Sequence, residues 1–166
     1  MALLRIAGLA CAGLLVWTAA ASRVVDHARL PLSAVVPGAV VTQPFGCTTL
    51  VLEPYDPFCQ SRHVHTGIDL SARLGTAVRS ATGGIAHVGY DPMGAGLYVV
   101  VSVDGRTRVF YCHLLRAAVT DGEQVSAGQA IGQLGASGLA TGPHVHFEVQ
   151  VDGRAVDPLA WLAAAS

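Results

Sequence analysis

The chain has 166 residues, which is enough for one domain of ordinary size and leaves little for a second. Its ten basic and eleven acidic residues give a formal net charge of −1, so composition provides no basic surface for nucleic acid. Nineteen glycines separate many short apolar runs, and this spacing predicts turns and short strands.

Residues 1–21 have the pattern of an export segment. Arg5 precedes a stretch, 6–21, that contains no charge and ends in small residues. We interpret it as a cleaved secretory signal, with an uncleaved membrane anchor as the alternative. A lipoprotein signal at Cys11 is disfavoured because Gly8 stands where a branched apolar residue is needed. With either leading interpretation we expect an exported protein of the cell envelope, in the periplasm or cell wall, or an extracellular one.

A linker is predicted over residues 22–40, which contain two prolines, mixed charges and no clear period. The sequence shows no coiled coil, no repeat and no second binding module. We therefore expect a single domain over 41–162, followed by a tail at 163–166.

Cys47 and Cys59 flank a loop rich in proline and acidic residues. In an exported domain, two cysteines at short range most simply form a disulfide. Closing a loop of about a dozen residues stabilises a fold by roughly 3 kcal/mol in the chain-entropy model. A zinc site using Cys59 and His63 is the less favoured alternative. Cys112 lies in an apolar run and is expected to be a buried free thiol.

The domain is predicted to be mostly β because short apolar runs alternate with turn signals and no long amphipathic helix is found. Asp-Gly pairs at 104–105 and 152–153 predict hairpins, and 121–132 also has a hairpin-like pattern. The predicted strands include 40–46, 77–80, 84–89, 97–103 and 107–113. The fold class is therefore all-β.

The segment 144–150 alternates polar and apolar residues, as a half-buried strand does. His144 and His146 then share one face, and the apolar residues face the core. His65 and Asp69 also have the same parity in an extended segment, although this pair alone is compatible with a surface ion pair. His113 lies in a run that is apolar on both faces, and a buried histidine needs polar partners.

Together these residues predict a catalytic zinc site, which takes three protein ligands and leaves one position for water. His65, Asp69 and one member of the pair His144 and His146 supply that number. His113 and the other member of the pair remain to move protons. Two histidines and one carboxylate also suit non-haem iron, but the two remaining histidines favour hydrolysis.

Residues 41–162 resemble a known family, the lysostaphin-like, LytM-type peptidoglycan zinc metallo-endopeptidases. The motifs that carry the resemblance are Thr42-Gln43-Pro44-Phe45-Gly46, His65-Thr66-Gly67-Ile68-Asp69, Gly75-Thr76-Ala77-Val78, Tyr111-Cys112-His113-Leu114, Val125-Ser126-Ala127-Gly128-Gln129, Thr141-Gly142-Pro143-His144-Val145-His146-Phe147-Glu148 and Val156-Asp157-Pro158. Three of these are site motifs in the order that the family shows.

The resemblance implies a compact antiparallel β domain, related to the barrel-sandwich hybrid, with a groove across the sheet. It implies that His65, Asp69 and His146 bind one Zn²⁺ per chain, with His113 and His144 beside the zinc-bound water. We expect hydrolysis of peptide bonds in peptidoglycan stems or cross-bridges by a monomer. His144 is our choice for the general base, with His113 stabilising the oxyanion or sharing the base role.

Two departures from the family pattern are visible. Cys112 stands where a small residue usually precedes the middle histidine, and the loop 90–96 lacks a tyrosine that some relatives use, for which Tyr90 is a candidate substitute. His87 and Glu148 are interpreted as structural. The alternative function is an inactive relative that regulates a cell-wall amidase, but the chain keeps all five site positions and has no coiled coil. A lipoyl carrier is excluded because the chain has no lysine.

Overall fold

The computed structural model describes residues 28–164, so the predicted export segment at 1–21 and the end of the tail lie outside the described residues. Within 28–164, no helix has both the length and the apolar character needed to cross a membrane. In chain order the elements are α1 (Leu32–Val35), β1 (Val40–Gln43), β2 (Gly46–Thr48), β3 (His63–His65), β4 (Ile68–Ser71), β5 (Ala77–Arg79), β6 (Gly84–Asp91), β7 (Gly96–Ser102), β8 (Thr107–Ala117), β9 (Gln124–Val125), β10 (Ala130–Leu134), β11 (His144–Val151), β12 (Arg154–Val156) and α2 (Pro158–Ala163).

One large antiparallel sheet dominates the structure, which confirms the predicted β class. Its successive neighbours are β1, β4, β11, β8, β7, β6 and β9, while β12 pairs with β11 and β10 joins β5 to β8. Every pairing in it is antiparallel. The strands β2 and β3 form a separate two-stranded hairpin beside it.

The apolar face of β11 lies at the centre of the core. Val145, Phe147 and Val149 are fully buried, and the Phe147 ring lies 5.4 Å from the ring of Tyr111 on β8. The Tyr111 hydroxyl accepts a hydrogen bond from the Ala81 backbone nitrogen at 2.7 Å, and burial raises the pKa of Tyr111 to about 12. Because alternate residues of a strand face opposite ways, this packing directs the polar residues of β11 outward.

Two of the three predicted hairpins are present. The turn at 104–105 connects β7 to β8, and the turn at 152–153 connects β11 to β12. Asp152 and Gly153 both have positive φ, as a two-residue type I′ turn requires. The hairpin expected across 121–132 is wrong, because β9 pairs with β6 whereas β10 pairs with β5 and β8. That segment crosses between two parts of the sheet.

Part of the predicted linker 22–40 packs against the domain. Within 28–40, Val35 of α1 is fully buried in the main core. The Arg29 guanidinium lies 3.8 Å from the centre of the Trp161 ring and donates to the Trp161 carbonyl. Trp161 is itself buried. The folded unit therefore begins before residue 41, because the apolar side chains of this segment have a core to cover.

The predicted disulfide joins Cys47 to Cys59, whose Cα atoms are 5.4 Å apart. The alternative zinc site at Cys59 has no support, since the Cys59 sulfur is bonded to Cys47. Cys112 is free and buried, as predicted. The disulfide thus closes the loop between β2 and β3.

We expect Cys47→Ser to lower the stability of the domain because the open loop gains conformational freedom in the unfolded chain. The predicted loss is roughly 3 kcal/mol, which corresponds to a fall of about ten degrees in the melting temperature. Calorimetry of both proteins with and without reductant measures it. Reductant should lower the melting temperature of the parent and leave that of Cys47→Ser unchanged; equal melting temperatures throughout would show that the disulfide does not stabilise the fold.

Candidate metal centre

Three strands bring the predicted ligands to one place. His65 ends β3, Asp69 lies in β4, and His146 lies in β11. Asp69 stands directly opposite His146 in the ladder between β4 and β11. The turn between β3 and β4 is only two residues long, so His65 reaches the same point from the neighbouring hairpin.

The ligand atoms form a nearly equilateral triangle. His65 Nε2 lies 3.0 Å from His146 Nδ1 and 3.1 Å from Asp69 Oδ1, and His146 Nδ1 lies 3.1 Å from the same carboxylate oxygen. These three residues are the group of metal-ligating side chains found among the described residues. Tetrahedral zinc with bonds of about 2.0–2.1 Å separates its ligand atoms by about 3.3 Å, so the triangle is close to the required size.

Hydrogen bonds on the far side of each ring determine which nitrogen faces the triangle. His65 Nδ1 lies 2.9 Å from the Pro44 carbonyl, which can only accept, so this nitrogen carries the proton. His146 Nε2 lies 3.3 Å from the Glu148 carboxylate and donates to it. In the neutral rings, the two nitrogens that face Asp69 therefore carry lone pairs.

Two lone pairs and a carboxylate oxygen cannot meet at 3 Å without a cation among them. A metal ion or a shared proton satisfies this requirement. The donor set of two imidazoles and one carboxylate suits zinc, and the ring orientation is already fixed by outer hydrogen bonds. The residues present therefore fit a zinc ion.

Glu148 orients His146 from behind. Its Oε2 accepts hydrogen bonds from His146 and from Thr66 Oγ1, the latter at 2.6 Å, and its Oε1 accepts from Gln150 Nε2 at 2.6 Å. A carboxylate behind a ligating histidine fixes the ring tautomer and raises the basicity of the ligand nitrogen. The residue interpreted as structural from sequence is therefore part of the centre.

Opposing effects act on the pKa values of Asp69 and His146. Burial raises the pKa of the Asp69 carboxyl, but its hydrogen bonds with His146 and His65 outweigh burial and hold the pKa well below its usual range. For His146, burial lowers the pKa, whereas Asp69 and Glu148 together raise it to about 9. In the metal-free protein His146 thus holds a proton between two carboxylates, and a bound metal cation would supply the positive charge in place of that proton.

A β-bulge in β8 turns His113 toward the same centre. Leu97 pairs with Leu114 and Val99 with Tyr111, so β8 has one residue more than β7 between these two pairs. His113 lies in this bulge with φ of +61°, a conformation that costs energy for a residue other than glycine. Bulges commonly redirect a side chain next to an active site.

His144 and His113 face each other beside the triangle, with ring centres 4.7 Å apart. His113 Nδ1 donates to the Ser137 carbonyl and His144 Nδ1 to the Gly142 carbonyl, each at 2.9 Å. The Nε2 atom of each neutral ring is therefore an acceptor. Burial lowers the pKa of His113, so its neutral form is favoured.

A groove of about 360 Å³ lies over these residues. His113, His144 and His146 line it together with polar residues of β4 and β11. The loops 49–53, 94–95 and 139–141 supply further lining residues. Tyr90 is exposed and is not among the lining residues. The groove is open to solvent.

All five predicted site residues converge in the structure. Glu148 and Thr66 were not predicted as part of the site, and the parity of Glu148 with His146 was the one available signal. No sequence signal identified the carbonyls of Ser137 and Gly142, which fix the rings of His113 and His144, because loop carbonyls carry no residue-specific pattern.

His87 is exposed and pairs with Asp121, as expected for a structural surface histidine. His63 Nδ1 donates to the Glu53 carbonyl at 2.8 Å.

Residues 63–158 match the model of peptidase family M23. The chain belongs to this family. The match includes all five converging side chains and every strand from β3 to β12.

M23 relatives share both sequence and fold with the chain. It is 37% identical over 95 residues to the peptidoglycan DD-endopeptidase ShyA of Vibrio cholerae, which covers 57% of this chain and 22% of that protein. A zinc-containing peptidase of Vibrio cholerae superposes with a TM-score of 0.66 at 32% identity, covering 81% of this chain and 39% of that one. The catalytic domain of lysostaphin from Staphylococcus simulans gives 0.62 at 30% identity, over 75% and 92%. The chain spans 20 to 30% of the length of the curated relatives that it matches.

Gly67 provides a test of how tightly the centre is packed. A Cβ atom at this position would lie 2.5 Å from the Phe147 carbonyl oxygen and 2.9 Å from His146 Nε2. We expect Gly67→Ala to displace the His146 ring and to reduce zinc affinity about tenfold or more, because the ligand set depends on ring orientation. Titration with a chromogenic zinc chelator measures the affinity.

Gly105→Ala is the matched control, since a Cβ atom there meets no heavy atom within 4 Å. This variant should bind zinc as the parent does. If Gly67→Ala retained the parent affinity, the ring would not depend on this close approach.

Proposed function

We propose that the chain is an exported zinc-dependent endopeptidase that hydrolyses peptide bonds in bacterial peptidoglycan. The observation that carries the proposal is the open groove in which a three-ligand centre and two further histidines converge. M23 metallopeptidases are zinc-dependent, and the named relatives include a peptidoglycan endopeptidase and a zinc-containing peptidase. A structural zinc site would have a fourth protein ligand, whereas this one leaves room for water.

His65, Asp69 and His146 would hold the ion. When bound, Zn²⁺ would lower the pKa of water to about 7 and would polarise the scissile carbonyl. The protein contributes the fixed ring tautomers of the two histidines and the carboxylate that neutralises part of the charge. Glu148 keeps His146 oriented while substrate enters and leaves the groove.

His144 is the proposed general base. Its Nε2 is an acceptor and lies 3.8 Å from Asp69 Oδ2, so a proton taken from water is stabilised by the carboxylate. His113 shares this role from the opposite side. To stabilise an oxyanion, His113 would need a second ring proton in addition to the one donated to Ser137, and its burial disfavours that charge. The Nε2 lone pair of neutral His113 is the atom that would take part in proton transfer.

We propose that residues 1–21 direct export and that the folded peptidase acts as a monomer at the cell envelope. The disulfide supports an oxidising compartment, where such bonds persist. A short connection, from residue 22 to the first described residues, would then join the export segment to the domain.

Digestion of purified peptidoglycan tests the activity. The oxidised protein should bind about one zinc per chain, release soluble peptide fragments, lose activity to a chelator and regain it with zinc. His146→Ala should lose the metal. His113→Ala and His144→Ala should keep the metal and lose turnover by about 10²–10⁴-fold, the usual contribution of general acid–base catalysis.

His87→Ala is the control, because it removes an exposed imidazole outside the groove. It should keep both metal and activity. Full activity in the metal-free protein, or in both the His113→Ala and His144→Ala variants, would contradict the mechanism. Zinc-loaded protein that binds peptidoglycan without releasing fragments would support the alternative of an inactive regulator.

A further inference from the structure

The loop between the two disulfide cysteines forms one wall of the groove. Leu50, Leu52 and Glu53 line it, although they lie far in sequence from most of the centre. Leu50 and Leu52 are exposed to solvent, so their apolar surface is available to a ligand in the groove. The wall is therefore apolar with a carboxylate at one side.

Glu53 is held in place from both its backbone and its side chain. Its carbonyl accepts from His63 Nδ1 at 2.8 Å, and its backbone nitrogen donates to the Leu50 carbonyl at 3.1 Å. Its Oε1 accepts from Gln43 Nε2 at 3.3 Å. Gln43 pairs with Asp69 across the ladder between β1 and β4, so Glu53 is positioned next to the strand that carries a proposed metal ligand.

Glu53 differs from the other two carboxylates of the groove in its contacts. Asp69 lies in the ligand triangle, and Glu148 accepts three hydrogen bonds. Glu53 has a single neutral donor, and its second oxygen has no hydrogen-bond partner among residues 28–164.

No arginine lines the groove in the described part of the chain, and the sequence has no lysine. Arg108 lies at the edge, over the Phe110 ring and bonded to Gln150 at 2.8 Å, so its guanidinium already has partners. Among residues 28–164, no arginine is therefore paired with the Glu53 carboxylate.

We propose that Glu53 is a specificity-determining residue that binds a primary ammonium group at the end of an alkyl side chain of the substrate peptide. Leu50 and Leu52 would pack against the alkyl stem, and the carboxylate would accept hydrogen bonds from the charged head. This combination matches a lysine-like diamino acid, whose stem is apolar and whose tip is cationic. The inference rests on the proposed function, because it assigns the recognition element of the same groove.

Three short peptides of otherwise identical sequence test it. The first is N-acetylated and carries lysine, the second is N-acetylated and carries norleucine, and the third carries norleucine with a free N-terminus. Binding is measured by fluorescence anisotropy with zinc-loaded His113→Ala protein, so that no peptide is consumed, and kcat and KM with the parent. The lysine peptide should bind about tenfold more tightly than both others, which is the size of one charge-assisted hydrogen bond.

Glu53→Gln should abolish this preference by weakening the lysine peptide alone, with the change in KM and not in kcat. The matched control is Asp56→Asn, which removes the same charge from the same loop outside the groove. Its Oδ1 accepts from the Phe58 nitrogen at 2.8 Å, a bond that asparagine can keep, so the preference should persist. Equal binding of lysine and norleucine peptides, or a preference that survives Glu53→Gln, would overturn the inference.

The third peptide and the digestion of peptidoglycan distinguish the remaining outcomes. If the third peptide bound as tightly as the first, the ligand would be an α-ammonium group and the side-chain proposal would be overturned. Failure to digest peptidoglycan would contradict the proposed function, whereas the anisotropy measurement decides the ammonium site by itself. Digestion of peptidoglycan without preferential binding of the lysine peptide would support the endopeptidase function and contradict the proposed role of Glu53.

Discussion

Three electron-pair donors converge in the centre of this protein, and their mutual repulsion is the constraint on which the site depends. Outer hydrogen bonds to Pro44 and Glu148 turn the lone pairs of His65 and His146 toward Asp69. The three ligand atoms then lie 3.0 to 3.1 Å apart, which is stable only with a cation among them. The fold maintains this arrangement because the ligands stand on paired strands with a buried apolar side.

The regular strand pairing fixes the positions of two proposed ligands, and an irregularity in the sheet directs a further histidine toward them. The ladder between β4 and β11 sets Asp69 opposite His146, whereas the bulge in β8 and the positive φ of His113 aim a histidine that a regular strand would leave pointing elsewhere. The loop closed by the disulfide adds a wall with its own charge. All five residues of the centre lie within the segment that matches peptidase family M23, whereas this loop precedes that segment in the chain.

Much of the fold and of the candidate site could be predicted from sequence. Strand alternation places His144 and His146 on one face, and family motifs identify the five converging side chains, whose individual roles stay predictions. The role of Glu148 behind His146 could not be predicted, because it depends on which ring nitrogen faces the carboxylate. The packing of 28–40 was missed since its prolines and charges resemble a linker, and Val35 is recognisable as core only once the sheet that it covers is known.

X-ray diffraction from zinc-grown crystals, at wavelengths on both sides of the zinc absorption edge, tests the central claim most directly. The ligand triangle predicts one anomalous peak about 2.0–2.2 Å from His65 Nε2, Asp69 Oδ1 and His146 Nδ1, with the fourth position facing the groove. The Cys112 sulfur should not be a ligand. A peak bound through Cys112 or through a fourth protein side chain, or no peak at the triangle, would contradict a catalytic zinc centre.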